Sequence, residues 1–391
     1  MITVLHLIKS LGRGGAETLL TETLSAHDET RFTSGYAYFL PWKNQLVAAL
    51  EAMGATVTLF PVARSGGILL KAPAVAQFVK ARRVDILHCH LPLAGVCGRL
   101  ASCLRNVPVV YTEHNTQDRY HFLTRWANLL TLGLNACVIA VSDEVAASIR
   151  KYKGPDFPVR VVRNGVSLQR FDPGPWNSRS CKARLGIDPD DAVIGTVCVF
   201  RTQKRLNAWL EIAVALAQHH PRLRFVLVGD GPLMPQVRQW VAEAGLQDRV
   251  LLAGVQEDVR PYLAAMDLFM MTSEFEGLPI AMLEAMAMER VVLATKAGGI
   301  AEVIEHGRNG FLVDRAAPLQ LVGIATRLLG DSPLRLRIGA NARARVRDRF
   351  SVERMVGELE SVYSGLTPQR SEPATRPSCA LAADMSVGTL R

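Results

Sequence analysis

Aromatic residues are scarce, at 6% of 391 residues, and none interleaves with a basic run, which excludes a base-stacking platform for nucleic acid. No apolar run approaches the roughly 18 uninterrupted residues of a membrane-crossing helix. The nearest, 127–141, is broken by Asn128, Thr131 and Asn135 and reads as a helix followed by a buried strand. The seven Cys are odd in number, scattered and free of any CxxC pair, so reduced thiols are the reading rather than disulfides or a metal site. The start, Met1-Ile2-Thr3-Val4-Leu5-His6, has a strand pattern with no basic n-region and no apolar h-region. These absences point to a cytoplasmic protein. No repeat of solenoid period is visible.

What is present is charge, hydrophobicity and rhythm. Hydrophobic residues make up 49% of the chain and charged residues 21%, a globular composition, and 42.8 kDa is more than one ordinary core holds. The net charge of +9 is unevenly spread: residues 1–172 hold 19 Lys/Arg against 12 Asp/Glu, a net of +7, and the remainder carries +2. Arg64, Lys71, Lys80, Arg82 and Arg83 lie close in sequence. A basic face of this kind attracts phosphates or anionic headgroups.

Short apolar segments alternate with helix-length ones, the signature of parallel sheets built from βαβ units. Candidate strands are Val4–Ile8, Gly35–Leu40, Thr56–Leu59, Ile86–His88, Val109–Thr112, Val138–Val141 and Val159–Val162. Phe171-Asp172-Pro173-Gly174-Pro175 then breaks the pattern as a linker. The rhythm restarts with Val193–Val199, Arg224–Val228, Val250–Ala253, Leu268–Met271, Val291–Ala294 and Gly310–Val313. The reading is an α/β chain of two doubly wound domains, 1–172 and 173–350. A Ser351-capped helix, 351–365, and a disordered Pro/Ser/Ala-rich tail, 366–391, follow. In such sheets ligands gather beyond the carboxyl ends of the strands.

The densest chemistry follows Leu268–Met271. Glu276 lies in a strand-to-helix loop and Glu284 in the helix that Pro279 opens. One carboxylate there can accept hydrogen bonds from sugar hydroxyls, and the other from a ribose diol. On the next βα loop, Gly298-Gly299 opens a helix, and free amides at such a turn make a phosphate nest. With Gly307-x-Asn309-Gly310-Phe311-Leu312-Val313, this stretch resembles the retaining family 4 glycosyltransferases, of GT-B architecture. The resemblance covers about residues 1–365.

The resemblance implies roles for further residues. Gly12-Arg13-Gly14-Gly15-Ala16-Glu17 is similar to the family's glycine loop facing the donor phosphates. As a dinucleotide fingerprint it fails, because the third Gly falls at Glu17 and no acid ends the second strand. Arg201 and Lys204 look like the pair that neutralises the donor diphosphate, with Arg205 as a second candidate for the arginine. His114 matches the histidine that meets the transferred sugar. Gly229-Asp230-Gly231 and Gly254-Val255 border the base, Leu278 lies in the donor loop, and Arg163-Asn164-Gly165-Val166 with Phe171 matches an inter-domain turn. His88 and His90 read as packing or cleft-lining, with no third ligand evident from spacing.

The implied activity is metal-independent, retaining transfer of a hexose-type sugar from a UDP- or GDP-sugar to a hydroxyl acceptor. Gly298-Gly299 amides would help offset the diphosphate charge, and no cofactor or metal is implied. The basic N-terminal half, with Ile68-Leu69-Leu70 beside Arg64 and Lys71, suggests a lipid-linked polysaccharide precursor and an anionic membrane, at the inner face of the plasma membrane. The alternatives are a GT-B nucleotide-sugar epimerase or hydrolase, and a non-catalytic nucleotide-sugar-binding protein.

Overall fold

The computed structural model describes residues 1–367; the tail expected over 366–391 lies almost wholly outside the described residues. All thirteen expected strands form, in two sheets. The first is built by β1 (Ile2–Ile8), β2 (Phe32–Tyr38), β3 (Thr56–Leu59), β4 (Ile86–His90), β5 (Val109–Glu113), β6 (Cys137–Ala140) and β7 (Arg160–Val161). Its spatial order is β3-β2-β1-β4-β5-β6-β7. The second contains β8 (Ala192–Val197), β9 (Leu223–Val228), β10 (Val250–Gly254), β11 (Leu268–Met271), β12 (Val291–Thr295) and β13 (Phe311–Val313), in the order β10-β9-β8-β11-β12-β13. Every pairing is parallel.

Helices cover both faces of each sheet, which is why the central strands are apolar throughout rather than alternating. All of Leu268-Phe269-Met270-Met271 is buried, as is every residue of β12. The strand order reverses between β1 and β4 in one sheet and between β8 and β11 in the other. At each reversal the following loops splay apart and leave a crevice. β8 and β11 share only two register pairs, Leu268 with Ile194 and Phe269 with Gly195.

The helix Val352–Leu366 packs on the first sheet. Met355, Val356, Leu359, Val362 and Tyr363 share one core cluster with Val4, Phe32, Ile86 and Val110. Ser351 caps it, accepting from the Arg354 amide at 3.3 Å. The chain crosses between the sheets twice at one place. Val166 N donates to Phe350 O at 3.0 Å, and Val352 N donates to Val166 O at 3.1 Å. A side chain at Gly165 would overlap the Ser351 carbonyl, so glycine lets the two crossings touch.

The apolar run 68–70, which in the sequence suggested a membrane surface, is mostly turned inward. A 3₁₀ turn over Ser65–Lys71 sends Ile68 fully into the core, Leu69 packs against it, and only Leu70 projects, at 82% exposure.

Candidate functional site

The two crevices face each other, and residues from both sides meet between them. On the second-sheet side, the loop after β8 carries Arg201 and Lys204. Lys204 Nζ lies 2.5 Å from Glu276 Oε1, and Ser273 Oγ donates to the same oxygen at 2.6 Å. Both partners are largely buried, and the carboxylate beside it holds the Lys204 ammonium above its usual range against the cost of burial. The two candidate arginines point in different directions. Arg205 is turned away, donating to Arg315 O at 2.8 Å and pairing with Glu274 at 3.4 Å. Arg201 instead faces the cleft, where its charge acts on Lys9 and Glu17 of the opposite side.

Glu284 sits on the helix Ile280–Ala287 with its carboxyl buried, and burial followed by the nearby Glu22 raises its pKa to about 7. Glu22 in turn is held by Arg170. The Gly298-Gly299 turn corrects the phosphate-nest expectation in part. Gly299 N donates to Gly277 O at 3.0 Å, so that amide is spent inside the loop. The glycines serve close packing: a Cβ at Gly298, where φ is +59°, would overlap Glu276 O, and one at Gly299 would overlap Gly277 O. Leu278 is buried, and its carbonyl accepts from Asn164 Nδ2 at 2.9 Å. Gly254 O accepts from Gly229 N at 2.7 Å, tying the loops after β9 and β10 together, while the Val255 side chain stands exposed.

On the first-sheet side, His114 follows β5 with its ring buried. Burial lowers its pKa to about 4, so the ring is neutral at ordinary pH. A Cβ on Gly277 would overlap His114 O, so the two sides touch here. The Gly12–Gly15 loop approaches the other side as well. Arg13 donates to Gln256 O at 3.0 Å and to Glu257 Oε1 at 2.8 Å, and a Cβ on Gly15 would rest 3.8 Å from Ile280 Cγ1. A Cβ on Gly14 would press on the Glu17 carboxylate.

Sequence reasoning missed several residues. Lys9 follows β1, which feeds the glycine loop, and burial, then Lys43 and Arg201, lower its pKa. Its place one residue beyond β1 was the available signal. His88 and His90 are buried, as a packing role requires, and β1 adds a third ring that spacing did not reveal. His6, His88 and His90 bring nitrogens within 4.8 Å of one another, a spacing that could hold a metal ion. Both His88 nitrogens already have partners, Tyr363 Oη at 2.6 Å and Thr112 Oγ1 at 2.7 Å. The remaining rings form a chain, His6 Nδ1 to His90 Nε2 at 3.1 Å and His90 Nδ1 to His114 Nε2 at 3.3 Å. His6 Nε2 is buried with no partner among the described residues. An orphaned lone pair costs less than an orphaned N–H, which puts the His6 proton on Nδ1 and, along the chain, the His114 proton on Nδ1.

Two other features lie away from the cleft. The one Asp-x-Asp triplet, Asp188-Pro189-Asp190, precedes β8 and pairs with Arg222 and Arg179. A recess of about 180 Å³ near the chain crossing is lined by Arg163, Glu302, Arg345, Arg349, Arg354 and Glu358. Arg163 is paired there with Glu302, Arg345 with Glu305 and Arg354 with Glu358.

Two family models match adjacent parts of the chain, Glycosyltransferase Family 4 over residues 13–170 and Glycosyl transferases group 1 over residues 178–345. The chain belongs to the family 4 glycosyltransferases. Among relatives, it is 29% identical over 301 residues to N-acetyl-alpha-D-glucosaminyl L-malate synthase of Bacillus anthracis, covering 75% of this chain and 78% of that one. It is 24% identical over 339 residues to UDP-Gal:alpha-D-GlcNAc-diphosphoundecaprenol alpha-1,3-galactosyltransferase of Escherichia coli, covering 84% of this chain and 83% of that one. Among solved structures, Anabaena HepE in complex with UDP and glucose superposes with a TM-score of 0.82 at 26% identity, over 93% of this chain and all of that one. The fold of this family 4 glycosyltransferase is therefore GT-B, two Rossmann-like domains across a cleft.

Proposed function

We propose that this glycosyltransferase moves a hexose-type sugar from a UDP- or GDP-linked donor to a hydroxyl of a lipid-linked or cell-surface polysaccharide precursor. Transfer retains the anomeric configuration and needs no metal ion. The observation that carries the reading is the meeting of Lys9, Lys43, Arg201 and Lys204 with Glu17 and buried Glu276 at one cleft. Clustered, partly desolvated cations favour an anion between them, and a diphosphate leaving group gains charge as its bond to the sugar breaks. Lys204 and Arg201 offset that charge. Glu276 orients the sugar hydroxyls, Glu284 accepts from the ribose diol, and neutral His114 contacts the sugar ring from the other domain. The acceptor oxygen bonds to the anomeric carbon, the anomeric carbon–phosphate oxygen bond breaks, and the acceptor proton passes to that departing oxygen. Closure of the domains keeps water from taking the acceptor's place. The HepE complex with UDP and glucose and the diphosphoundecaprenol-directed relative support the choice of donor and acceptor classes.

The test is transfer from UDP- and GDP-sugars to a sugar-diphosphate lipid in the presence of EDTA, with the product's anomeric configuration read by NMR. Retention with EDTA-resistant turnover is the expected result; inversion or loss of turnover in EDTA contradicts it. Glu276→Gln and Lys204→Ala should each lower turnover by about 10²- to 10³-fold. Turnover that survives both changes would overturn the site.

A further inference from the structure

The helix Phe122–Thr131 is built inside out. Its one buried residue is Asn128, whereas Phe122, Leu123, Trp126 and Leu130 are 62%, 58%, 65% and 65% exposed. Leu134, in the turn that follows, is 54% exposed. A helix that covers a core does the reverse. Single exposed apolar side chains are ordinary on a protein surface, but a contiguous face of them marks an interaction site.

The inversion is fixed from beneath. Buried Arg99 donates to Asn128 Oδ1 at 3.0 Å, Thr131 Oγ1 at 2.8 Å and Asn135 Oδ1 at 3.0 Å. Asn128 Nδ2 donates to Gln117 Oε1 at 3.3 Å. Rolling the helix to hide its apolar face would strand these buried polar groups without partners. The adjoining helix Pro92–Arg105 extends the patch with Leu100 and Leu104.

Charge selects the occupant. Neither helix contains Asp or Glu, and Arg105, Arg119, Arg125 and Lys151 lie around the patch. Asp118, the acid beside it, is already paired with Lys151 at 3.2 Å and approached by Arg125 at 3.9 Å. Trp, Phe and Leu rimmed by cations match the interface of an anionic bilayer, where rings sit among headgroups and cations meet phosphates. The patch also begins at the cleft. The Arg119 guanidinium lies 3.9 Å from the centroid of the Phe275 ring, and Phe275 adjoins Glu276.

We propose that this face docks on an anionic lipid bilayer, seating Phe122, Trp126 and Leu130 among the headgroups and holding the cleft mouth at the membrane surface. Its purpose rests on the lipid-linked acceptor reading; the docking itself is tested without donor or acceptor. The full chain is sedimented with phosphatidylcholine vesicles, and with vesicles that also contain phosphatidylglycerol. The chain should bind the anionic vesicles, more weakly as salt rises. A triple F122S/W126S/L130S variant should bind them at least about tenfold more weakly, and Trp126→Glu alone should also weaken binding. Leu70→Ser should leave binding unchanged. Melting temperature and its rise with added UDP or GDP are measured on every variant, so loss of fold or of donor binding is seen apart from loss of docking. Equal binding by the triple variant, equal binding to both vesicle types, or no binding by the wild type would overturn the proposal. A patch-dependent change in oligomeric state without vesicle binding would also overturn it, by assigning the face to a second copy.

Discussion

The two sides of the cleft are held by different means. On the second-sheet side, backbone lies against backbone, and Gly298 and Gly299 are where a side chain would collide with a carbonyl. Charge there is settled locally, with Lys204 against Glu276. On the first-sheet side, a stack of neutral histidines runs from His114 through His90 to His6, with His88 beside it. The stack is held by side-chain hydrogen bonds and by burial. One side is rigid through its steric fit, the other through its protonation state. The two should therefore fail under different insults.

Acid is the strongest test of that contrast. Burial keeps His114 neutral down to about pH 4 and His6 down to about pH 3, and lowers His88 and His90 as well. Below roughly pH 6.5 these four rings bind more protons in the unfolded chain than in the folded one, so their contribution to stability falls as pH drops from there through the folded pKa values. At roughly 1.4 kcal/mol per pH unit per ring, four rings cost about 5 kcal/mol between about pH 7 and pH 5.5. Denaturant melts at those pH values measure it, and His90→Leu should remove about a quarter of the slope. Stability that stays flat over this range would break the comparison.

A pair of glycine substitutions comes next in size. Gly298→Ala places a Cβ onto the Glu276 carbonyl at positive φ and should cost about 3 kcal/mol. Gly15→Ala meets only Ile280 Cγ1, at 3.8 Å, and should change stability by no more than about 0.5 kcal/mol. Equal costs would mean that the two glycine loops are not built differently.

The smallest effect concerns Glu284. Its pKa of about 7 means that the folded chain holds the extra proton between the ordinary glutamate range and neutrality. Taken by itself, this group therefore stabilises the fold at low pH, opposite in sign to the histidines, and that contribution is lost as pH rises through about 7. A ribose diol must donate to the ionised form, so nucleotide affinity should rise about tenfold between about pH 6 and pH 8. Glu284→Gln should abolish that rise, as calorimetric titration would show.

The same contrast decides what the sequence made legible. The strands were readable because buried parallel strands are uninterrupted apolar runs, and the loops after β11 and β12 because each carries its own cluster of glycine and carboxylate. Glu276, Gly298 and Gly299 occupy adjacent βα loops, so glycine and carboxylate spacing pointed to them. The histidine stack was not legible. His88 and His90 alternate visibly, but His6 joins them only through the β1–β4 register, in which His6 pairs with His88. The start of 127–141 reads as a helix, yet the inverted orientation of Phe122–Thr131 depends on Arg99, distant in sequence. The Gly298-Gly299 amides were misjudged for a similar reason, since the carbonyl that consumes one of them belongs to the neighbouring loop.

The most direct test of the central claim is thermal unfolding with UDP, GDP and their sugar conjugates, in EDTA, on the wild type and Glu284→Ala. A ligand at a hundredfold excess over Kd adds about 2.7 kcal/mol to the stability of the state that binds it. The account predicts clear protection of the wild type by one of the two nucleotides, much reduced in the variant. No protection by any of them, or equal protection of both proteins, would contradict a metal-free nucleotide-sugar site at this cleft.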